Sequence, residues 1–203
     1  MVASVSTREA ILAAASALYA ERGYDGVSMR DVAAAVAIQP ASLYHHFKDK
    51  DALILAALKH VLAARATPAR DILLKNQPPG QRLDAFIDWL VRIFFEDAVF
   101  ARSVIRGALD GDDQRRAYLA TTVIEGVFAP LSQVIAELSD AADPDLTAAS
   151  ILSLVAGHYQ LSSTFIHLPR ELRALSQVDS ISEYVKDFVR RLLGLSNRSE
   201  PAP

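Results

Sequence analysis

The stretch QPASLYHHFKDKDALI, residues 39–54, carries Tyr44, His45 and His46 at positions where a fully buried helix would carry leucines. Leu43 and Phe47 stand four residues apart and share one helical face, which can pack on neighbouring helices. Gln39, Ala41, Ser42, Tyr44, His45 and His46 are left for the other faces. Amide, hydroxyl and imidazole groups on an open helix face suit hydrogen bonds to base edges or phosphates, and a small methyl such as that of Ala41 suits a thymine methyl. Adjacent histidines project about 100° apart on a helix, so His45 and His46 make poor joint metal ligands.

Catalytic chemistry is poorly provided for. The chain has no cysteine, no glycine-rich phosphate loop, no Gly-x-Ser-x-Gly elbow and no helical Glu-x-x-His pair, so neither an enzyme, a metal site nor a bound cofactor is expected. The acidic run DGDD at residues 110–113 lacks the spacing of a calcium loop and reads as a helix start. The absence of cysteine and of a recognisable signal peptide points to the cytoplasm.

The elements that hold the opening stretch are read from capping signals. Ser6 with Glu9, and Ser28 with Asp31, are capping-box spacings. They open a first helix over about residues 7–22, ended by Gly23, and a short second helix with Val32, Ala33 and Val36 inward. Pro40 suits the first turn of a third helix, and Asp49 can cap a fourth. Further helices are expected over about 80–96, 98–107, 113–138 (kinked at Pro130), 144–167 and 180–194. The periodicity is helical throughout, so the fold class is all-α. Residues 146–169 contain no charged side chain, but their many serines, threonines and histidines fit a helix packed among helices better than a membrane span.

Two short helices joined by a tight turn, the second starting at Pro40, form a helix-turn-helix pattern, whose second helix enters a DNA major groove. Over about residues 8–59 the chain resembles the DNA-binding domain of the tetracycline-repressor (TetR) family. The likeness rests on RGYDGVSMRDVAAAVAI followed by PASLYHHFKDKDALI, with Leu43, Tyr44, His46, Phe47 and Lys50 at the family's spacing. The resemblance implies that Ser28, Tyr44 and Lys50 touch phosphates, while Arg30, Gln39, Ala41, Ser42 and His45 lie near base edges beside Pro40. Ser28 also has a helix to cap, Arg30 also suits a solvated surface, and His46 also suits a role turned towards the protein. Where the family often has glycine in the turn, this chain has Ala37; either Ala37 adopts a left-handed conformation or the turn differs. Residues 1–60 hold six basic residues (Arg8, Arg22, Arg30, Lys48, Lys50, Lys59) against six acidic ones (Glu9, Glu21, Asp25, Asp31, Asp49, Asp51). Net charge therefore does not draw this region to nucleic acid, and local placement must.

The family resemblance implies the roles of the rest. Residues 1–50 form the helix-turn-helix domain, helix four at about 50–66 a connector, 67–196 a helical effector-binding and dimerisation domain, and 197–203 a disordered tail. The last two helices would pair with their copies through Leu154, Leu161, Phe165, Ile181, Tyr184, Phe188 and Leu192, although both also suit an internal core. Phe86, Trp89, Phe94, Phe100, Tyr118, Phe128 and Tyr159, with Arg106 and His158 as polar anchors, suit an apolar effector cavity; about a third of the aromatics are expected to touch a ligand, the rest being core. The expected function is a homodimeric, ligand-responsive regulator, acting as a repressor on an inverted-repeat double-stranded operator and released by a small apolar or aromatic effector. The alternative is an adaptor of the same fold controlled by a protein partner.

Overall fold

A serine three residues ahead of a glutamate opens the first helix, α1 (Thr7–Arg22). The Glu9 N–H donates to the Ser6 hydroxyl at 3.2 Å and the Ser6 N–H to the Glu9 carboxylate at 2.9 Å. This computed structural model describes residues 6–109, 112–140, 143–165, 167–169 and 177–195. The same reciprocal cap at Ser28 and Asp31 opens α2 (Met29–Ala35), and Pro40 lies in the first turn of α3 (Pro40–His46). Asp49 caps α4 (Lys50–Leu73), accepting from the Ala52 N–H at 2.8 Å. There follow α5 (Pro79–Glu96), α6 (Ala98–Leu109), α7 (Asp113–Val123), α8 (Ala129–Ala136), α9 (Pro144–Phe165) and α10 (Val178–Leu192). Asp97, Asp112 and Asp143 cap α6, α7 and α9 through N–H bonds of 2.9, 2.8 and 2.9 Å. Every regular element among the described residues is a helix, so the fold is all-α.

Two prolines act differently. α4 does not stop near residue 66 but continues through Pro68 to Leu73. A proline inside a helix costs about 3 kcal/mol; the full burial of Leu73 returns a comparable amount, about 1.5–3 kcal/mol. Pro130, by contrast, follows a π-helical turn at Ile124–Phe128. The wider turn makes room for a ring that would otherwise meet the preceding carbonyl.

The helices gather into two compact units, Met1–Ala66 with Asp97–Thr122, and Thr67–Glu96 with Val123–Pro203. The sequence-based division instead placed residues 67–196 in one domain. α6 packs on α1, and the reason lies in unpaired helix-end carbonyls. Arg106 Nε donates to the Ala20 carbonyl at 3.1 Å and Nη2 to that of Glu21 at 3.0 Å, while Arg65 at the end of the unit's α4 segment pairs with Asp97. The expected tail at 197–203 lies outside the described residues.

Gly23 ends α1 with φ +72°, and a Cβ there would stand 2.7 Å from Arg106 Nη1. Gly23→Ala is therefore expected to lower stability by about 1–2 kcal/mol, from the left-handed backbone alone, with any displacement of Arg106 adding to it. Urea titration measures this directly.

In the first unit the core joins Ile11, Ala15 and Tyr19 of α1 to Val32, Leu43, Leu53 and Ile54. By length and composition α4 could cross a membrane, as could the run Asp113–Ala136; α4 instead buries Leu53, Ile54, Ala57 and Leu58 inside the protein. In the second unit α5 and α10 are laced by charge. Asp84 pairs with Arg190, Asp88 accepts from Ser182 and Lys186, and Arg92 meets Asp179 at 2.7 Å. Burial acts to raise the Asp88 carboxyl, but the Ser182 and Lys186 bonds outweigh it and hold the group below the usual carboxylate range.

Candidate nucleic-acid interface

The turn between α2 and α3 is closed by Ala37 at φ 54°, so alanine itself bears the left-handed conformation. The Ile38 N–H returns to the Ala33 carbonyl at 3.0 Å. α3 then stands on two side chains, Leu43 at 0% and Phe47 at 5% exposure. Its remaining residues face outward: Ala41, Ser42, His45 and His46 are exposed, and Tyr44 is 54% exposed. Gln39 occupies the N-cap position without capping through its side chain, which leaves its amide available, and Pro40 beside it is half-buried. Arg30 is exposed on α2, one turn from the Ser28 cap. Ser28 is both exposed and committed to Asp31, whose carboxyl the Ser28 hydroxyl and N–H hold below its usual range.

Lys50 begins α4 and is half-buried, its ammonium 4.0 Å from the centroid of the Tyr24 ring. Arg115 of α7 lies 4.3 Å from the same centroid. The Tyr24 hydroxyl donates to Asp51, and this bond, with burial, pushes the phenol up to about 12. At the C-cap of α3, the Arg8 guanidinium lies 5.4 Å over the Phe47 ring. The arrangement presents hydrogen-bonding groups along α3, flanked by cations held on aromatic rings.

The residues expected around an effector divide between the units. Phe100, Arg106 and Tyr118 belong to the first, whereas Phe86, Trp89, Phe94, Phe128, His158 and Tyr159 belong to the second. Arg106, expected as a polar anchor, bonds through its guanidinium to α1 carbonyls. Phe100 is buried, and Lys59 lies 5.0 Å over the Tyr118 ring. In the second unit Phe86 stacks on Trp89 at 5.9 Å, and Tyr159 meets Phe94 and Phe95 edge-on at 5.8 and 5.7 Å. Phe128 is half-buried in the π-helical turn. His158 stands edge-on to the exposed Tyr184 at 6.3 Å.

The stripe of α10 proves to be two stripes. Ile181, expected at an interface, is 3% exposed and faces inward with Val185 and Val189. Tyr184, Phe188 and Leu192 face outward at 58%, 45% and 52% exposure, and Leu161 of α9 is likewise exposed. Leu154 and Phe165 are half-buried. Leu154, Ile151, Phe188 and Leu192 line an open apolar groove of ≈ 430 Å³ between α9 and α10.

Residues 11–57, the segment holding α1 to α3 and the start of α4, match the family described as bacterial regulatory proteins, tetR family. Over that segment the chain is similar to the tetR family. It is 30% identical over 109 residues to the HTH-type transcriptional repressor BdcR of Escherichia coli K12, covering 53% of this chain and 55% of that protein. The chain spans about half the length of the curated relatives it matches first. Among solved structures it shares its fold with a tetR-family regulatory protein from Rhodococcus RHA1 (TM-score 0.76, 19% identity, 95% of this chain and 100% of that one). It also shares it with AibR, solved with isovaleryl coenzyme A and operator DNA (TM-score 0.72, 22% identity, 93% and 98%).

Tyr24, Arg115 and Arg8 join the site without being singled out by sequence. Tyr24 stands within the RGYDG segment that carries the resemblance, so a signal was present for it. Arg115 has none, because it reaches Asp51 across 64 positions and only the packing of α7 brings it there.

Proposed function

We propose that the chain is a transcriptional regulator that binds an inverted-repeat DNA operator as a homodimer and is released from it by a small effector with an apolar body. The observation that carries this reading is α3, fixed by Leu43 and Phe47 and open along Gln39, Ser42, Tyr44 and His45. Such a helix is suited to a major groove, with Gln39, Ala41, Ser42, His45 and Arg30 near base edges and Ser28, Tyr44 and Lys50 near phosphates. The description of BdcR as a repressor favours repression, and work on chromosomal DNA places the protein in the cytoplasm.

One short recognition helix reads only a few base pairs, so two copies must act across a two-fold axis to reach useful specificity. The outward stripe Tyr184, Phe188 and Leu192, beside the α9–α10 groove, is the surface that a second copy covers in this reading. For the effector, two aromatic groups of the second unit, Phe86 with Trp89 and Phe94 with the half-buried Tyr159, support a ligand with an apolar portion. AibR, of the same fold, is bound to isovaleryl coenzyme A, so a short acyl thioester is the first compound to try.

The test is DNA affinity measured by fluorescence anisotropy against salt. Lys50→Ala is expected to weaken binding to all sequences alike and to lower the salt slope by about one. Gln39→Ala is expected to change which bases are preferred. A wild-type dimer with no affinity for duplex DNA, or a reversal of these two effects, contradicts the reading. With an acyl thioester effector, thermal stability should rise as DNA is released.

A further inference from the structure

Lys50 is held from outside the helix-turn-helix. Its ammonium and the Arg115 guanidinium lie 4.0 and 4.3 Å from the centroid of one ring, that of Tyr24. Asp51 ties the group together, accepting from the Tyr24 hydroxyl and from Arg115 Nη1 at 3.5 Å. Arg115 is 5% exposed, which is unusual for an arginine and sets it apart from a solvated surface charge. Its Nε stands 3.8 Å from Asp112, the residue that caps α7. Three separate pieces of chain therefore meet at Tyr24: the α1–α2 connection, the first turn of α4 and the first turn of α7.

We infer that Arg115 is a positioning residue for the DNA contact made by Lys50, acting through the Tyr24 ring and Asp51. A free lysine side chain samples many rotamers, and ordering it at the moment of binding weakens the contact it makes. A lysine whose ammonium already lies on an aromatic face begins ordered. Arg115 fixes that face: it stacks on the ring and draws Asp51, which in turn fixes the phenol. α7 thereby has a direct hold on the end of α4 next to the recognition helix. The inference rests on the reading of Lys50 as a phosphate contact.

The test uses the full-length protein and has one readout without DNA. In NMR spectra of free protein, the Lys50 Hε protons should be displaced upfield by the Tyr24 ring. Arg115→Met is expected to reduce that displacement, while Arg115→Lys, which keeps a cation at the ring, retains most of it. With duplex operator, Arg115→Met should weaken binding by about three- to tenfold, the range of a partly desolvated cation–π contact, and leave the salt slope unchanged. In a Lys50→Ala background the same substitution should cost almost nothing further. An unmoved Lys50 signal in a folded Arg115→Met protein, or an equal loss of affinity in both backgrounds, overturns the inference. Should Arg115→Met not fold, Tyr24→Leu serves in its place, with loss of the Lys50 displacement expected and its persistence decisive against the inference. A responsive Lys50 signal in a protein that binds no DNA supports the positioning and overturns the DNA-binding reading instead.

Discussion

If two copies pair through α10, as proposed, Phe188→Asp is expected to leave a monomer and to weaken operator binding by about 10²–10⁴-fold. Phe188 is 45% exposed at the middle of the outward stripe of α10, between Tyr184 and Leu192, and it lines the groove shared with α9. A carboxylate buried at a two-fold axis meets its own copy, so each subunit contributes an unpaired charge to the same small volume. Without the dimer, the second recognition helix loses its high effective concentration over the second half-site, and avidity of that order disappears with it. The monomer itself should remain folded, because Ile181, Val185 and Val189 hold α10 from the inner side. Analytical ultracentrifugation reads the association and anisotropy the affinity; a variant that stays dimeric and binds like wild type removes this surface from the interface.

Leu43→Ala and Tyr44→Ala should separate the two faces of α3 although the residues are adjacent. Leu43 has no exposed surface, and its truncation leaves a cavity in a small core, costing about 2–5 kcal/mol. Tyr44 is 54% exposed; its truncation is expected to change stability by within about 0.5 kcal/mol, yet to weaken DNA binding several-fold if it makes the proposed phosphate contact. Thermal denaturation paired with anisotropy distinguishes them. Equal destabilisation by the two substitutions would mean that α3 is packed on both faces and cannot enter a groove.

Features set by neighbours within four residues were legible in the sequence. Ser6 with Glu9, Ser28 with Asp31, and Asp49 before α4 all cap as their spacing implies, and Leu43 and Phe47 share the buried face. Ala37 shows where a local rule left two outcomes open, and the alanine takes the left-handed one. What the sequence left illegible is tertiary. Nothing near Arg106 in sequence announces that it bonds to Ala20 and Glu21, 86 and 85 positions away, and that bond is part of why α6 packs with α1. Ile181 belongs to a stripe wide enough to serve two surfaces, and periodicity alone cannot say where the inner one ends. Pro68 breaks the pattern of α4 locally, whereas the burial of Ala69 and Leu73 beyond it carries the helix on.

The central claim is that two copies of α3 read duplex DNA together, and selection of bound duplexes from a random pool tests it most directly. The recovered consensus is expected to hold two inverted half-sites, with centres about 10 base pairs or a multiple of that apart, placing both recognition helices on one side of the duplex. No enrichment of any sequence, or a single unsymmetrical site bound equally well by wild type and Phe188→Asp, would contradict it.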